Sequence, residues 1–227
     1  MKIAVVQLQS SVPLDRLEPF AEYEFYDPAL GLPDVGEFDG LIVLGGEMSV
    51  EDREDYPWLA GIEELLRVSV AAQKPTLAIC LGAQLLVTAT GGLVKVAHES
   101  GPEQGICKIS LRPEARKDPV LGTVYSKLGL EFVSPVMHSD SAVRLPKDAI
   151  WLASSERYPF HAFRIGSALG VQFHPETSLG VMRNWLEGAG IDPTKTIKKF
   201  GVYKSELDDL CRALAAGFVS QVADSLE

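Results

Sequence analysis

The sequence predicts an α/β fold, a doubly wound and mainly parallel sheet flanked by helices, with extra β-rich segments in the middle of the chain. In the first 90 residues, apolar strands alternate with helical segments, which is the order found in parallel sheets with crossover helices. The first strand, "KIAVVQL", is apolar on both faces, as expected for a strand covered by helices on each side. The 227 residues are 46% hydrophobic and 23% charged, which is enough apolar material for a globular core.

The first 90 residues contain four predicted strands and two predicted helices. Strands are expected over "KIAVVQL", "AEYEFYD", "FDGLIVLGG" and "TLAI". Between the last two, residues 56–72 carry apolar side chains at helical spacing, and Pro57 suits a first helical turn. A second helix is expected over residues 82–90. This alternation predicts a parallel sheet.

The rest of the chain has a different pattern of predicted elements. "QGICKISL", "LEFVSPVMHS", "AIWLASS", "HAFRIG" and "ALGVQFH" are closely spaced and β-rich, so they are expected to extend or edge the sheet, partly in antiparallel pairs. "VMRNWLEGAG" and "KSELDDLCRALAAGFVSQVADSL" predict two helices. Because no repeat or linker divides the chain, we expect residues 1–227 to form one domain, with residues 188–227 as a C-terminal helical extension.

Charge and cysteine content exclude several classes of function. The net charge of −10 argues against nucleic-acid and anionic-membrane partners, because phosphates attract Lys and Arg. Three cysteines are an odd number without metal-ligand spacing, which favours free thiols in a reducing compartment. No segment resembles a signal peptide or reaches the roughly 20 apolar residues of a membrane span. A cytoplasmic location is the expectation.

The stretch "TLAICLGAQLL" places a cysteine between a predicted strand and a predicted helix. Cys80 has the small residues Ala78 and Gly82 two positions away on either side. Such a junction is typical of a nucleophile elbow, where strand and helix cross closely and the side chain points out of the sheet. A helix N-terminus also favours a thiolate. The alternative is a buried structural cysteine, as Cys107 and Cys211 are expected to be.

A cysteine nucleophile needs a base and an orienting group, and "ALGVQFHPE" offers both. The apolar strand stops at Pro175, so His174 is expected at a strand end, and Glu176 could bond its ring. Taken alone, "HPE" is equally compatible with a surface turn. Gly45 and Gly46 follow another strand, where backbone N–H groups could approach a ligand. His98 and His161 are expected to be structural or surface residues.

In combination, these motifs resemble the class I, triad-type glutamine amidotransferases. "AICLGAQ" is similar to the family's G-x-C-x-G-x-Q elbow, "GVQFHPE" matches its histidine–glutamate motif, and "MHSD" resembles a segment that holds substrate glutamine. The resemblance covers about residues 1–187 and implies a flavodoxin-like fold. Two positions depart from the family pattern: Ala78 replaces the first elbow glycine, and Glu47 replaces the proline after Gly-Gly.

The resemblance also implies roles for individual residues. Cys80 would be the nucleophile, His174 the base and Glu176 its partner. The backbone amides of Gly46 and Leu81 would form the oxyanion hole. Four further residues would hold the glutamine substrate: Gln84, His138, Ser139 and Asp140. No cofactor and no metal are implied.

The implied activity is hydrolysis of the side-chain amide of glutamine through a cysteine thioester. The ammonia would pass to a separate synthetase subunit or to another, unidentified acceptor. The first alternative is a stand-alone hydrolase of γ-glutamyl amides or peptides, and the second is a non-catalytic binding or regulatory protein. The complete set of Cys80, His174 and Glu176 argues against the second alternative, but the sequence does not separate the first from glutamine hydrolysis.

Overall fold

The computed structural model describes residues 1–227 and contains a nine-stranded mixed sheet. The strand order in this sheet is β2-β1-β3-β4-β11-β10-β9-β6-β7, and β5 and β8 form a separate antiparallel pair. The strands are β1 (Ile3–Val6), β2 (Tyr23–Tyr26), β3 (Gly40–Val43), β4 (Thr76–Ile79), β5 (Leu93–Lys95), β6 (Glu103–Leu111), β7 (Glu131–His138), β8 (Ser141–Arg144), β9 (Ile150–Ser154), β10 (Ala162–Ile165) and β11 (Ala168–Val171).

One half of the sheet is parallel and the other half is antiparallel. From β2 through β1, β3 and β4 to β11, each strand pairs parallel with the next. From β11 through β10, β9 and β6 to β7, each strand pairs antiparallel with the next. Because only β10 and β6 run opposite to the other seven strands, the predicted mainly parallel sheet with β-rich additions is confirmed. The additions form one continuous flank of the sheet.

Six helices pack around the sheet, and both faces of its parallel half are covered. They are α1 (Trp58–Ala71), α2 (Leu81–Ala89), α3 (Leu121–Leu128), α4 (Leu179–Gly188), α5 (Thr194–Val202) and α6 (Lys204–Asp224). Successive residues of β1 point to opposite faces, so that Val5 packs in an apolar cluster with residues of α3 and α6. Its neighbour Val6 packs in a second cluster, with residues of α1 and α2. Both faces of β1 are buried, which explains its uninterrupted apolar sequence.

The predicted elements coincide closely with the observed ones, whereas several short elements were not predicted. Helices α3 and α5 have only eight and nine residues, and strands β5 and β8 only three and four, which is shorter than the window over which apolar periodicity identifies an element. Only two residues of α3, Leu121 and Val124, and one residue of α5, Phe200, are buried. Tertiary contacts therefore stabilise these short segments more than local sequence does.

The C-terminal helix α6 belongs to the main core. Leu210, Leu214, Phe218 and Val222 lie on one stripe of α6 and join the same apolar cluster as strands β1, β3 and β4. This packing supports the prediction of a single domain, which stays a prediction. None of the helices combines the length and the apolar character that crossing a membrane requires.

We predict that Leu214→Ala lowers the free energy of unfolding by about 2–5 kcal/mol, because it leaves a cavity in a site with no solvent exposure. Val202→Ala is the control: Val202 is 71% exposed, so a change within about 0.5 kcal/mol is expected. Urea unfolding followed by circular dichroism measures both. A separate early transition for the C-terminal helices would contradict the single domain.

Candidate functional site

Cys80 sits on a sharp turn between β4 and α2. Its backbone has φ 53° and ψ −110°, a conformation that side-chain-bearing residues rarely adopt. Its N–H donates to the carbonyl of Val171 at 2.8 Å, which extends the pairing of β4 with β11 up to the turn. The side chain is therefore held at the carboxyl end of β4, at the first turn of α2, as the elbow interpretation predicts.

The close crossing of strand and helix explains the residues beside Cys80. A Cβ atom on Gly82 would lie 2.3 Å from the carbonyl oxygen of Val43, so only glycine fits without a backbone shift. Ala78, which replaces a glycine of the family pattern, has no solvent exposure and packs in the apolar cluster beneath α1 and α2. The added methyl group is accommodated there.

Gly45 lies between Cys80 and His174. A Cβ atom on Gly45 would come 3.2 Å from Cε1 of His174 and 3.3 Å from Cβ of Cys80. The two side chains therefore approach the same point from neighbouring strands, since β3, β4 and β11 are adjacent and parallel. The carboxyl ends of these three strands bring the cysteine, the histidine and the glycine pair together.

His174 is buried and hydrogen-bonded to the carboxylate of Glu176. Nδ1 of the ring lies 2.7 Å from Oε1 of Glu176, and both side chains are at most 3% exposed. The backbone N–H of His174 donates to the carbonyl of Pro135 at 2.8 Å. The Trp185 ring packs edge-on against the imidazole, with 4.8 Å between the ring centroids. These contacts set the ring orientation and leave Nε2 for other partners.

The environment strengthens the basicity of His174. Burial lowers the pKa of the imidazole, but the carboxylate of Glu176 and the sulfur of Cys80 outweigh burial and raise the pKa to about 10. The ring therefore keeps its second proton at neutral pH, where it can stabilise a thiolate and later give up the proton.

Gln172 is a site residue that sequence reasoning missed. Its Nε2 donates to Sγ of Cys80 at 3.5 Å, and its Oε1 accepts a hydrogen bond from Gln84 at 3.2 Å. Gln172 and His174 are two residues apart, so strand alternation would have placed both on the same side. This two-residue spacing is the sequence signal from which Gln172 could have been predicted as a site residue.

The four residues expected to hold substrate are close together, but they are not equally available. The side-chain nitrogen of Gln84 donates hydrogen bonds within the protein, to the carbonyl of Asp140 at 3.0 Å and to Gln172. Only the side-chain oxygen of Gln84 is left for a ligand. His138 uses both ring nitrogens internally. Ser139 is exposed, and Asp140 accepts a bond from the Ala97 N–H at 2.9 Å. Of this set, the Asp140 carboxylate is the charged group that can receive a ligand.

The loop after β3 is anchored although it lacks the family's proline. The N–H of Glu47 donates to the side-chain oxygen of Gln9 at 3.0 Å, and Gly46 lines the same cavity as Cys80. Leu81 is the first residue of α2, where the N–H has no helical acceptor. Both expected oxyanion-hole amides thus belong to segments that flank the cysteine.

A cavity of about 800 Å³ opens over the cysteine and the histidine. Three carboxylates line it, from Glu47, Asp52 and Asp140, and no Lys or Arg does. Its volume falls within the roughly 300–1,000 Å³ that is typical of small-molecule sites. The cavity can therefore hold a ligand larger than an amino acid, and its charge favours cationic groups.

A buried polar cluster lies beside the cavity. Glu103, His138 and His161 place one carboxylate oxygen and two ring nitrogens within 4.8 Å of one another. Such a set has the chemistry of a metal site, although the spacing of these residues along the chain predicted none. The same atoms are also within hydrogen-bonding reach of each other.

Comparisons with known proteins identify the family and the fold. The family described as glutamine amidotransferase class-I matches residues 18–189. Over 146 residues, the chain is 34% identical to one of the subunits of a glutamine-hydrolyzing GMP synthase from Ignicoccus hospitalis, covering 63% of this chain and 70% of that protein. Over 189 residues, it is 30% identical to the glutamine-hydrolyzing GMP synthase of Aeropyrum pernix, covering 79% of this chain and 34% of that protein. The matched segment thus spans about a third of the longer relative.

Solved structures share the fold. A glutamine amidotransferase from Thermotoga maritima superposes with a TM-score of 0.84 at 24% identity, covering 96% of this chain and 98% of that one. A second, from Methylobacillus flagellatus, gives 0.82 at 22% identity, covering 97% and 94%. With the family match over most of its length and with this fold, the chain belongs to the class-I glutamine amidotransferase family.

Proposed function

We propose that this protein hydrolyses the side-chain amide of glutamine through a thioester on Cys80 and releases ammonia. The observation that carries the proposal is the meeting of Cys80 and the hydrogen-bonded pair His174–Glu176 at one end of the cavity. A cysteine on a strained turn, with a buried imidazole beside it and a carboxylate behind that ring, is an arrangement for nucleophilic catalysis.

The chemistry needs only groups of this chain and water. The Cys80 thiolate attacks the carboxamide carbon, and the electrons of the C=O bond move to its oxygen. The N–H groups of Gly46 and Leu81 are proposed to stabilise this oxyanion. The His174 imidazolium protonates the leaving nitrogen, the C–N bond breaks, and a γ-glutamyl thioester and ammonia form.

Water then completes the cycle. His174, now neutral, takes a proton from water as the oxygen attacks the thioester carbon. The C–S bond breaks, which regenerates the thiolate–imidazolium pair, and the new carboxylic acid loses its proton to solvent. Glu176 stays ionised throughout and orients the ring.

Substrate recognition is assigned to the polar groups of the cavity. The Asp140 carboxylate is proposed to bind the α-ammonium group, and the free side-chain oxygen of Gln84 to accept a hydrogen bond. Ser139 and His138 lie next to Asp140, and His138 acts through the position of that segment rather than by direct contact.

A separate synthetase protein is proposed as the acceptor of the ammonia. The relative from Ignicoccus hospitalis is named as one of the subunits of a synthase, and the longer relative from Aeropyrum pernix extends well beyond the segment that this chain matches. A synthetase partner that receives ammonia from this site is consistent with both relatives.

Hydrolysis of larger γ-glutamyl amides is the second candidate function, and the size of the cavity favours it. About 800 Å³ is more space than glutamine needs, and the excess is open to a substituent on the amide nitrogen. Because Glu47 and Asp52 line the cavity without a basic residue, a leaving group with a positive charge suits it better than one with a carboxylate.

We predict that Cys80→Ala and His174→Ala each lower kcat for glutaminase activity by about 10⁴-fold or more, because the nucleophile and the base act as one unit. Glu176→Ala is expected to lower kcat by less, since the cysteine and the histidine remain. Ammonia release measures all three, and Cys107→Ala serves as the control with wild-type rates. Turnover by Cys80→Ala would assign the chemistry to another residue.

Alkylation tests the nucleophile without a known acceptor. We expect iodoacetamide to label Cys80 faster than Cys107 or Cys211, because burial raises the pKa of both other thiols to about 11. Glutamine or a γ-glutamyl amide should slow the labelling of Cys80. Peptide mapping after brief treatment gives the three rates in one sample, and equal rates would leave Cys80 as a packing residue.

Leaving-group preference separates the two candidate functions. We predict that kcat/KM for a γ-glutamyl amide with a distal ammonium group exceeds that for a γ-glutamyl dipeptide with a free carboxylate. The ratio of these two kcat/KM values should fall in Asp52→Asn, but by less than about fivefold, because the variant removes one partly exposed charge. If glutamine exceeds both compounds by orders of magnitude, the second candidate function is wrong.

A further inference from the structure

The buried cluster beside the cavity holds one carboxylate between two imidazoles. Glu103 begins β6, His138 ends β7, and His161 directly precedes β10. Oε2 of Glu103 lies 2.8 Å from Nε2 of His161 and 3.3 Å from Nε2 of His138, and Oε1 accepts a bond from the Ser155 hydroxyl at 2.8 Å. The side chains of the three cluster residues are at most 5% exposed.

The partners of His138 fix the orientation of its ring. Nδ1 lies 3.0 Å from the carbonyl oxygen of Asp140, which can only accept a hydrogen bond, so Nδ1 carries hydrogen. Nε2 lies 3.3 Å from the carboxylate of Glu103. The ring is therefore held between Glu103 on one side and the Asp140 peptide group on the other.

His161 carries a single proton in the same cluster. Its Nε2 donates to Glu103, whereas its Nδ1 is buried and has no hydrogen-bond partner, so a proton on Nδ1 would lack an acceptor. Burial accordingly lowers the pKa of His161. Burial raises the pKa of Glu103, but the hydrogen bonds from both imidazoles outweigh it and the pKa is lowered. The cluster thus holds an ionised Glu103 between two imidazoles.

The cluster connects to the cavity through the peptide group of Asp140. The Asp140 carbonyl accepts from His138 on one side and from Nε2 of Gln84, also at 3.0 Å, on the other. Gln84 in turn bonds Gln172, which reaches Sγ of Cys80. A continuous set of hydrogen bonds therefore runs from Glu103 to the cysteine, and it orients the segment whose carboxylate faces the ligand.

We propose that Glu103, supported by His161, is a positioning residue that fixes the orientation of the His138 ring and thereby holds Asp140 in place for the α-ammonium group of the substrate. The proposal rests on the proposed function for the role of Asp140. Glu103 and His161 themselves contact neither substrate nor the reacting atoms.

Steady-state kinetics with glutamine and with a γ-glutamyl amide test the positioning role. Glu103→Gln should raise KM about tenfold or more while kcat changes little, because it removes a charged hydrogen-bond acceptor that acts on binding. His161→Leu, which removes the donor to Glu103, should raise KM by less, and His161→Gln, which keeps an N–H donor, should restore it. Glu131→Gln, an exposed carboxylate on β7, is the matched control. An unchanged KM in folded Glu103→Gln would overturn the proposal.

The hydrogen bond of His138 to Asp140 gives a readout that needs no turnover. In ¹⁵N-histidine spectra, assigned with single histidine variants, Nδ1 of His138 should carry hydrogen in the wild type, and its signal should shift or broaden in Glu103→Gln. A wild-type Nδ1 without hydrogen would overturn the proposal, as would one equivalent of bound metal in the purified protein, since the ring nitrogens would then be ligands. If neither compound is hydrolysed, the proposed function fails, whereas the spectra still decide whether Glu103 holds the His138 ring.

Discussion

The close crossing of β4 and α2 at Cys80 is the constraint on which the rest of the site depends. Gly82 allows the helix to approach Val43 so closely that any side chain would meet a backbone oxygen. The backbone of Cys80 adopts a conformation that costs on the order of 1–3 kcal/mol, and pairing of its N–H with β11 helps to maintain it. The cysteine is consequently fixed before any ligand arrives, and the glycine pair and the histidine are arranged around it.

Sheet topology supplies the other members of the site. Strands β3, β4 and β11 are neighbours in the sheet, although in the chain the antiparallel strands β6, β7, β9 and β10 come between β4 and β11. Among these strands, β7 contacts the site, because the Pro135 carbonyl accepts a hydrogen bond from the N–H of His174. The antiparallel half therefore builds one wall of the cavity as well as extending the sheet.

Two buried carboxylate–imidazole pairs serve two different purposes. Glu176 holds His174, whose proton belongs to the proposed chemistry, and Glu103 holds His138, whose neighbour Asp140 lines the cavity. A buried charge without its partner is strongly destabilising, so each pair is maintained as a unit. Both pairs lie next to the cavity.

By itself, the sequence determined the order of most strands and helices, because apolar periodicity is a local property. It also pointed to Cys80, His174 and Glu176 as the proposed catalytic residues, because each lies in a short recognisable motif. The tertiary structure alone decided which strands are neighbours, and with that the contact of Gln172 with the cysteine and the joining of Glu103 to His161. These two residues are 58 positions apart, and no local pattern links them. Short helices such as α3 and α5 were not predicted, because eight or nine residues are fewer than the window over which apolar periodicity identifies a helix, and helices this short depend on packing for their stability.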